Sequence, residues 1–206
     1  MRGGAGFGYA MFGTARLGVV LITNKERSSI MATKEINCTI KGKTPLLMHA
    51  FPFVPLEAIE KKSPKEQAEY CVYRDQETQE LYIPGTAIQR CLVSGATYSK
   101  GKGRSSLQKQ VAACVMITPE VCSLGIKDYI IDSRPVVNPS TKGRIMRHRP
   151  RLNQWNVSFL IEYDDTLLKE EEVRKIVDDS GSRVGLLDFR PEKKGSFGRF
   201  MVTEWK

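Results

Sequence analysis

The sequence predicts an α+β fold, in which an antiparallel sheet carries two helices on one face. Three observations predict it: two segments alternate apolar and polar residues, a helix with one apolar face follows the first segment, and a glutamate-rich helix follows the second. The chain has 206 residues, of which 41% are hydrophobic and 27% are charged. That length and composition are typical of one folded domain, with or without insertions.

The first strand is predicted where Ile36, Cys38 and Ile40 alternate with polar residues. A connection that contains proline follows it. Residues 56–73 then have a helical pattern, which restarts at Ser63 because serine is a good cap and the proline after it suits the first helical position. The sequence therefore predicts a strand and an inserted helical segment before the next core element.

The middle of the chain is predicted to supply a strand, two helices and a further strand. A short strand at residues 80–83 leads into the segment Pro-Gly-Thr at 84–86, which opens a helix with an apolar face. A second helical stretch starts at Ser105 and passes into an extended run at 115–118. Residues 125–151 contain three prolines, which favours an arm of β-structure outside the core.

The last third of the chain repeats the strand, helix, strand order. Residues 155–161 have the clearest strand pattern in the chain, with an apolar residue at every second position. Residues 169–179 are predicted to form a helix with glutamates in its first turn, and residues 197–205 the final strand. Without the insertions, at about 43–80 and 125–152, the order is β, α, β, then β, α, β. This is the ferredoxin-like or RRM-like split βαβ arrangement, whose sheet leaves its second face open for a ligand.

The N-terminal segment, the length of the apolar runs and the cysteines indicate how the chain is organised and in which cellular compartment it is expected. Residues 1–30 are rich in glycine and lack periodicity, so a flexible extension is expected before a folded unit at 31–206. No apolar run reaches the roughly 18 residues of a membrane span, so no membrane partner is expected. The cysteines are odd in number, without the spacing of a metal clip or a redox pair, which favours a reducing cytoplasmic setting without metal or cofactor. They are Cys38, Cys71, Cys91, Cys114 and Cys122.

The chain is basic, and its positive charge is clustered. It has 32 Lys and Arg against 23 Asp and Glu, a formal net charge of +9. Such an excess favours a polyanionic partner. The first cluster, in a stretch without acidic residues, comprises Arg134, Lys142, Arg144, Arg147, Arg149 and Arg151. In an extended arm the last three project from one side, because side chains two apart share a face.

Two further basic clusters contain glycine. One is the loop of Lys100, Lys102 and Arg104, whose glycines let backbone amides approach an anion. The other is the stretch 183–200, in which glycines alternate with cations and aromatic residues, as in a loop that holds a phosphate backbone. Its cations include Arg190, Lys193, Lys194 and Arg199, and its aromatic residues are Phe189, Phe197 and Phe200. Base stacking is one use for these rings, and the core of the final strand is the other, above all for Phe200.

These segments resemble the RAMP superfamily, the RNA-binding proteins of CRISPR effector complexes. The segment LYIPGTAIQR at 81–90 is similar to the helix entry of that family, and the stretch 185–200 is similar to its glycine-rich loop, although only Gly185 stands where a tighter glycine pair is usual. The resemblance implies an RRM-like core with arms and RNA bound along a positive face. The RNA-backbone contacts it implies are Arg90, Lys100, Lys102, Arg104, Arg190, Lys193, Lys194 and Arg199.

The function expected from these features is sequence-tolerant binding of single-stranded RNA. The size and the basic arm favour a backbone-type subunit that multimerises along guide RNA beside other effector subunits, and a phage or mobile-element relative is equally compatible. Backbone contacts alone do not distinguish RNA from single-stranded DNA.

Two alternatives stay open. In the first, His49 acts as acid or base in metal-independent RNA cleavage, where RAMP endoribonucleases often place such a group. Asp75 is a second, isolated catalytic candidate. In the other, the chain is a phage structural or assembly protein without nucleic acid, which the strands and the proline-rich arm favour and the basic stretch disfavours.

Overall fold

The computed structural model describes residues 33–52, 59–101, 103–138 and 142–206. Its strands are β1 (Thr33–Gly42), β2 (Leu46–Leu47), β3 (Tyr82–Pro84), β4 (Val115–Thr118), β5 (Val121–Ser123), β6 (Ile130–Val137), β7 (Arg144–Leu152), β8 (Asn156–Asp164) and β9 (Phe200–Trp205). The helices in this part of the chain are α1 (Pro64–Glu69), α2 (Gly85–Gly95), α3 (Gln108–Cys114) and α4 (Glu170–Asp179). The predicted flexible extension at 1–30 lies outside the described residues.

Four antiparallel strands form the central sheet, in the order β4-β8-β1-β9. Its register aligns apolar residues across the two middle strands, with Ile36 opposite Ile161 and Cys38 opposite Phe159. Together with apolar side chains of α2 and α4, such as Ile88, these residues form one buried core. Sheet order and chain order together give the ferredoxin-like arrangement of two split βαβ units, which confirms the predicted α+β class.

Most predicted elements form with shifted ends. The final strand begins at Phe200 rather than at 197, because residues 197–199 belong to the loop before it. The helical stretch predicted at 56–73 restarts at Ser63 as predicted and ends earlier: Ile59 and Glu60 are helical, Ser63 caps α1 in a reciprocal capping box with Glu66, and α1 ends at Glu69. Residues 53–58 lie outside the described part of the chain.

The β-rich arm is the hairpin of β6 and β7, to which β2 adds a third antiparallel strand. The arm joins the central sheet at Trp155, between β7 and β8. The Trp155 ring lies where a side chain on Gly42 would be, and its indole nitrogen donates to the carbonyl of Thr44 at 2.9 Å. Glycine at position 42 is therefore what permits this close contact.

The face of the central sheet opposite the helices is mainly polar, although Met116, Leu160 and Met201 also lie on it. Thr39 and Ser158 share a hydrogen bond across it at 2.9 Å, and Thr118 donates to Glu162 at 2.7 Å. The outward positions of these four fully described strands carry no aromatic ring on which a base could stack. The basic clusters belong to other parts of the molecule. Within the described residues, no helix has the length and apolar character that crossing a membrane requires.

Candidate nucleic-acid interface

Arg147, Arg149 and Arg151 occupy alternate positions of β7 and so share one face of the hairpin, but carboxylates pair with all three. Arg147 pairs with Glu60 at 3.3 Å, and Arg149 with Asp188 at 2.6 Å. Only 16% and 14% of these two arginine side chains is exposed. The carboxylates that neutralise them are absent from the local sequence, so part of the arm's charge is used inside the protein.

Asp132 pairs with two further arm arginines. Its carboxylate, 8% exposed, accepts from Arg134 at 2.6 Å and lies 3.5 Å from Arg151. Arg134 also lies over the rings of Phe197 and Phe189, with its guanidinium carbon 4.7 and 5.6 Å from the ring centroids. These cation–π contacts attach the arm to the glycine-rich loop.

The rings proposed for base stacking have different environments. Phe197 and Phe200 are buried at 4% and 3% exposure, and Phe200 packs edge-on against Trp155. Phe189 is 39% exposed. Of the three rings, Phe189 alone is accessible to a ligand.

The glycine-rich loop, residues 185–199, is held by backbone hydrogen bonds along its length. Leu186 donates to the carbonyl of Gly198 at 2.9 Å, and Phe197 donates to that of Phe189 at 3.0 Å. The thiol of Cys91 on α2 donates to the carbonyl of Gly185 at 3.2 Å. The loop is thereby fixed against α2.

Three residues of this loop other than glycine have left-handed backbones. Leu187 has φ 58°, Phe189 has φ 50° and Lys194 has φ 61°. Such values are outliers for bulky residues and cost about 1–3 kcal/mol each, and they tend to occur at functional sites. The strained segment flanks Asp188, which faces the cavity described next.

A cavity of about 850 Å³ lies between α2 and the glycine-rich loop. Arg90 and Lys193 stand exposed at it, whereas Val184 and Cys91 are buried. Arg190, also in the lining, pairs with Glu192 at 2.6 Å and donates to the Leu187 carbonyl at 2.8 Å. The lining is therefore mixed: apolar side chains such as Val184 lie beside polar ones such as Gln89 and Ser94, and the exposed Arg90 and Lys193 stand at the rim.

His49 lies at this cavity and carries a positive charge. Its Nδ1 is 3.6 Å from Asp188 Oδ2. The interaction with Asp188, followed by a hydrogen bond with the side chain of Cys71, raises the pKa of His49 to about 9. Burial acts to raise the pKa of Asp188, but His49 and Arg149 outweigh it and lower that pKa overall. Sequence reasoning missed Asp188 and Cys71, because neither is near His49 in the chain.

The chemistry available to His49 follows from this charge. With a pKa of about 9, roughly one imidazole in a hundred is neutral at pH 7, so the side chain is a poor general base. It is suited to contact an anion. Asp75 accepts hydrogen bonds from the amides of Glu77 and Thr78, which lower its pKa and explain the residue as a turn former. The described residues contain no group of three or more His, Cys, Asp or Glu side chains suited to hold a metal ion.

The remaining predicted contacts are exposed cations. Lys100 and Arg104 lie in the loop after α2, and Lys102 lies outside the described residues. Eight of the predicted cations are exposed and form no ion pair within the described residues: Arg90, Lys100, Arg104, Lys142, Arg144, Lys193, Lys194 and Arg199. The structure thus divides the predicted set into exposed cations and paired arginines, the latter being Arg134, Arg147, Arg149, Arg151 and Arg190.

Comparison with known proteins gives structural matches only. No family model matches the sequence, and no curated protein matches it. The chain is similar to a chain in the cryo-EM structure of the Type III-B Cmr-beta bound to cognate target RNA, with a TM-score of 0.52 and 16% identity. The match covers 88% of this chain and 63% of that one. A second match is the crystal structure of Cmr6 from Pyrococcus furiosus, with a TM-score of 0.38, 14% identity, and coverage of 82% and 98%.

The likeness to the Cmr-beta chain agrees with the α+β fold described above. At these identities the likeness concerns the fold. The chain spans about 63% of the length of the Cmr-beta chain that it matches.

Proposed function

We propose that this protein is an RNA-binding subunit of a CRISPR-like effector complex, which holds single-stranded guide RNA with little regard to its sequence. The observation that carries the proposal is the group of exposed cations without an ion-pair partner on α2, on the loop after α2 and on the glycine-rich loop. Two of them, Arg90 and Lys193, line a cavity that also includes the protonated His49. Lysine and arginine neutralise phosphates and release condensed counterions, which gives affinity without base recognition.

The phosphate contacts we assign are the exposed members of the predicted set. They are Arg90, Lys100, Arg104, Lys193, Lys194 and Arg199, with Lys142 and Arg144 at the outer end of the hairpin. The paired arginines Arg147 and Arg149 have a supporting role, because they hold the arm and Asp188 in place. The similarity to Cmr-beta, whose structure contains target RNA, supports RNA as the polyanion.

Salt dependence of RNA binding tests this assignment. The double variant Lys193→Ala/Lys194→Ala removes two exposed cations of the loop, and each phosphate contact to a single strand contributes about 0.7 to the slope of log K against log salt. The slope should therefore fall by about 1.4 in fluorescence anisotropy with a labelled RNA oligomer. The matched control, Lys127→Ala/Lys175→Ala, removes two exposed cations elsewhere and should keep the parent slope.

Two results would contradict the proposal. One is a parent protein without RNA affinity at low salt. The other is an equal loss of slope in both double variants, which would mean that net charge and not this surface binds RNA.

Multimerisation along the RNA is a further part of the proposal. A backbone-type subunit should elute with co-purified RNA as a species of several copies. Light-scattering mass should fall to that of a single copy after nuclease treatment. A mass that stays at one copy with RNA bound would leave RNA binding standing and remove the backbone-type role.

A further inference from the structure

We infer that the cavity between α2 and the glycine-rich loop holds one unstacked nucleotide of the bound strand, with its base inside and its phosphate at the cationic rim. The inference rests on the proposed function and adds a requirement to it. Contacts to phosphate alone need only exposed cations, whereas a base needs a concave site with apolar surface for its faces and polar groups for its edge.

The size of the cavity is the first argument. At about 850 Å³, it falls within the range of about 300–1,000 Å³ that is typical of small-molecule sites. An electrostatic track for a backbone requires no such volume. A cavity of this size beside the cations gives room for a base and its ribose.

The distribution of chemistry in the lining is the second argument. Val184 and Cys91 are buried, and Tyr73 and Leu187 are partly exposed. These side chains supply apolar surface and one aromatic ring for the faces of a base. Arg90, Lys193 and Glu192 belong to the same lining and are exposed, and Glu192 is paired with Arg190. The two cations therefore stand at the outside of the cavity, where a phosphate would remain hydrated.

The backbone of the loop is the third argument. Leu187, in the cavity lining, has a left-handed backbone, and Arg190 holds its carbonyl at 2.8 Å. The neighbouring Phe189, also left-handed, is held through its own carbonyl by Phe197. The loop therefore retains an unfavourable conformation that places Leu187 and Asp188 at the cavity, which gives the lining a fixed shape before a ligand arrives.

Abasic RNA provides the test, because it keeps the phosphates and removes the bases. The parent should bind an RNA oligomer about tenfold or more tightly than its abasic counterpart of equal length, since stacking on a protein ring or apolar surface typically contributes that much per base. Both oligomers should show similar salt slopes. A double-stranded RNA of the same length should bind as weakly as the abasic strand, because its bases are not available.

Cavity-filling variants make the test specific. Ala87→Leu and Val93→Phe each add volume from α2 into the lining without changing charge. Both should lose the preference for RNA over abasic strand while still binding RNA at low salt. The control Ala113→Leu, exposed on α3 and outside the lining, should keep the preference. Thermal melting confirms that each variant is folded.

The outcomes separate the two proposals. If the parent binds RNA and abasic strand equally, the nucleotide site is refuted while phosphate binding stands. If the filled variants keep the parent's preference, the bases are held elsewhere and the inference is equally refuted. If the parent binds neither strand at low salt, the proposed function and this inference fail together.

Discussion

Replacing Asp188 by asparagine should lower the pKa of His49 by about 1–2 units, because it removes the main group that favours the imidazolium. In the parent the pKa is raised from 6.5 to about 9. At 1.36 kcal/mol per unit this corresponds to about 3.4 kcal/mol. Because 41% of the His49 side chain is exposed, solvent screening reduces the contribution to about 1–2 kcal/mol.

Proton NMR measures this directly, since the chain has only 2 histidines and therefore two imidazole titrations. His49→Gln assigns the signals. Glu60→Gln is the control, because it removes the partner of Arg147 and leaves His49 and Asp188 untouched. A parent titration near 6.5, or a His49 pKa that does not respond to Asp188→Asn, would refute the reasoning.

The same ion pair fixes the sign of a pH effect on stability. The folded-state pKa of His49 lies above its ordinary value, so the stabilisation is complete below about pH 6.5 and is lost as the pH rises through about 9. The parent should therefore lose about 1–2 kcal/mol of unfolding free energy over that window. Asp188→Asn should show a flatter profile in urea titrations, and an equally steep one would contradict the assignment.

Three more substitutions test the site and the fold. Gly195→Ala should lower the free energy of unfolding by about 1–3 kcal/mol in chemical denaturation and weaken RNA binding, because a Cβ there would overlap the carbonyl oxygen of Phe189. An unchanged free energy of unfolding would show that the loop can shift to make room. Asp132→Asn should lower the free energy of unfolding by about 2 kcal/mol and the Tm by roughly 4–8 °C, because it removes the charge of a buried carboxylate. The control Asp128→Asn, at an exposed position, should not change the Tm. An equal Tm for the two variants would contradict a structural role for Asp132. Asp75→Ala should lower the Tm slightly in calorimetry, because it removes the acceptor of two backbone amides, and should leave RNA binding and integrity on gels as in the parent. An effect on RNA processing would give Asp75 a catalytic role.

Elements with strong local patterns could be predicted from the sequence. In β1 and β8 every second residue is buried, and the capping box at Ser63 marks the start of α1. Each of these signals arises from residues close together in the chain. The predicted class and order of the core follow from such signals.

The candidate site was less predictable, because its contacts join distant residues. Arg149 and its partner Asp188 are 39 positions apart, and Arg147 and Glu60 are 87 apart. A charge cluster counted along the chain therefore includes arginines that the fold neutralises. The exposed half of the basic set and the cavity depend on packing between α2 and the glycine-rich loop, which no local pattern encodes.

The contact of Trp155 with Gly42 fixes the end of the hairpin that joins the central sheet. Two hydrogen bonds hold this end: the Gly42 amide donates to the Trp155 carbonyl at 2.9 Å, and the indole nitrogen of Trp155 donates to the Thr44 carbonyl at the same distance. The hydroxyl of Thr44 in turn accepts from the backbone amide of Arg199 at 3.0 Å. A force that RNA exerts on the outer end of the hairpin is therefore transmitted through Trp155 and Thr44 to Arg199, the residue just before β9.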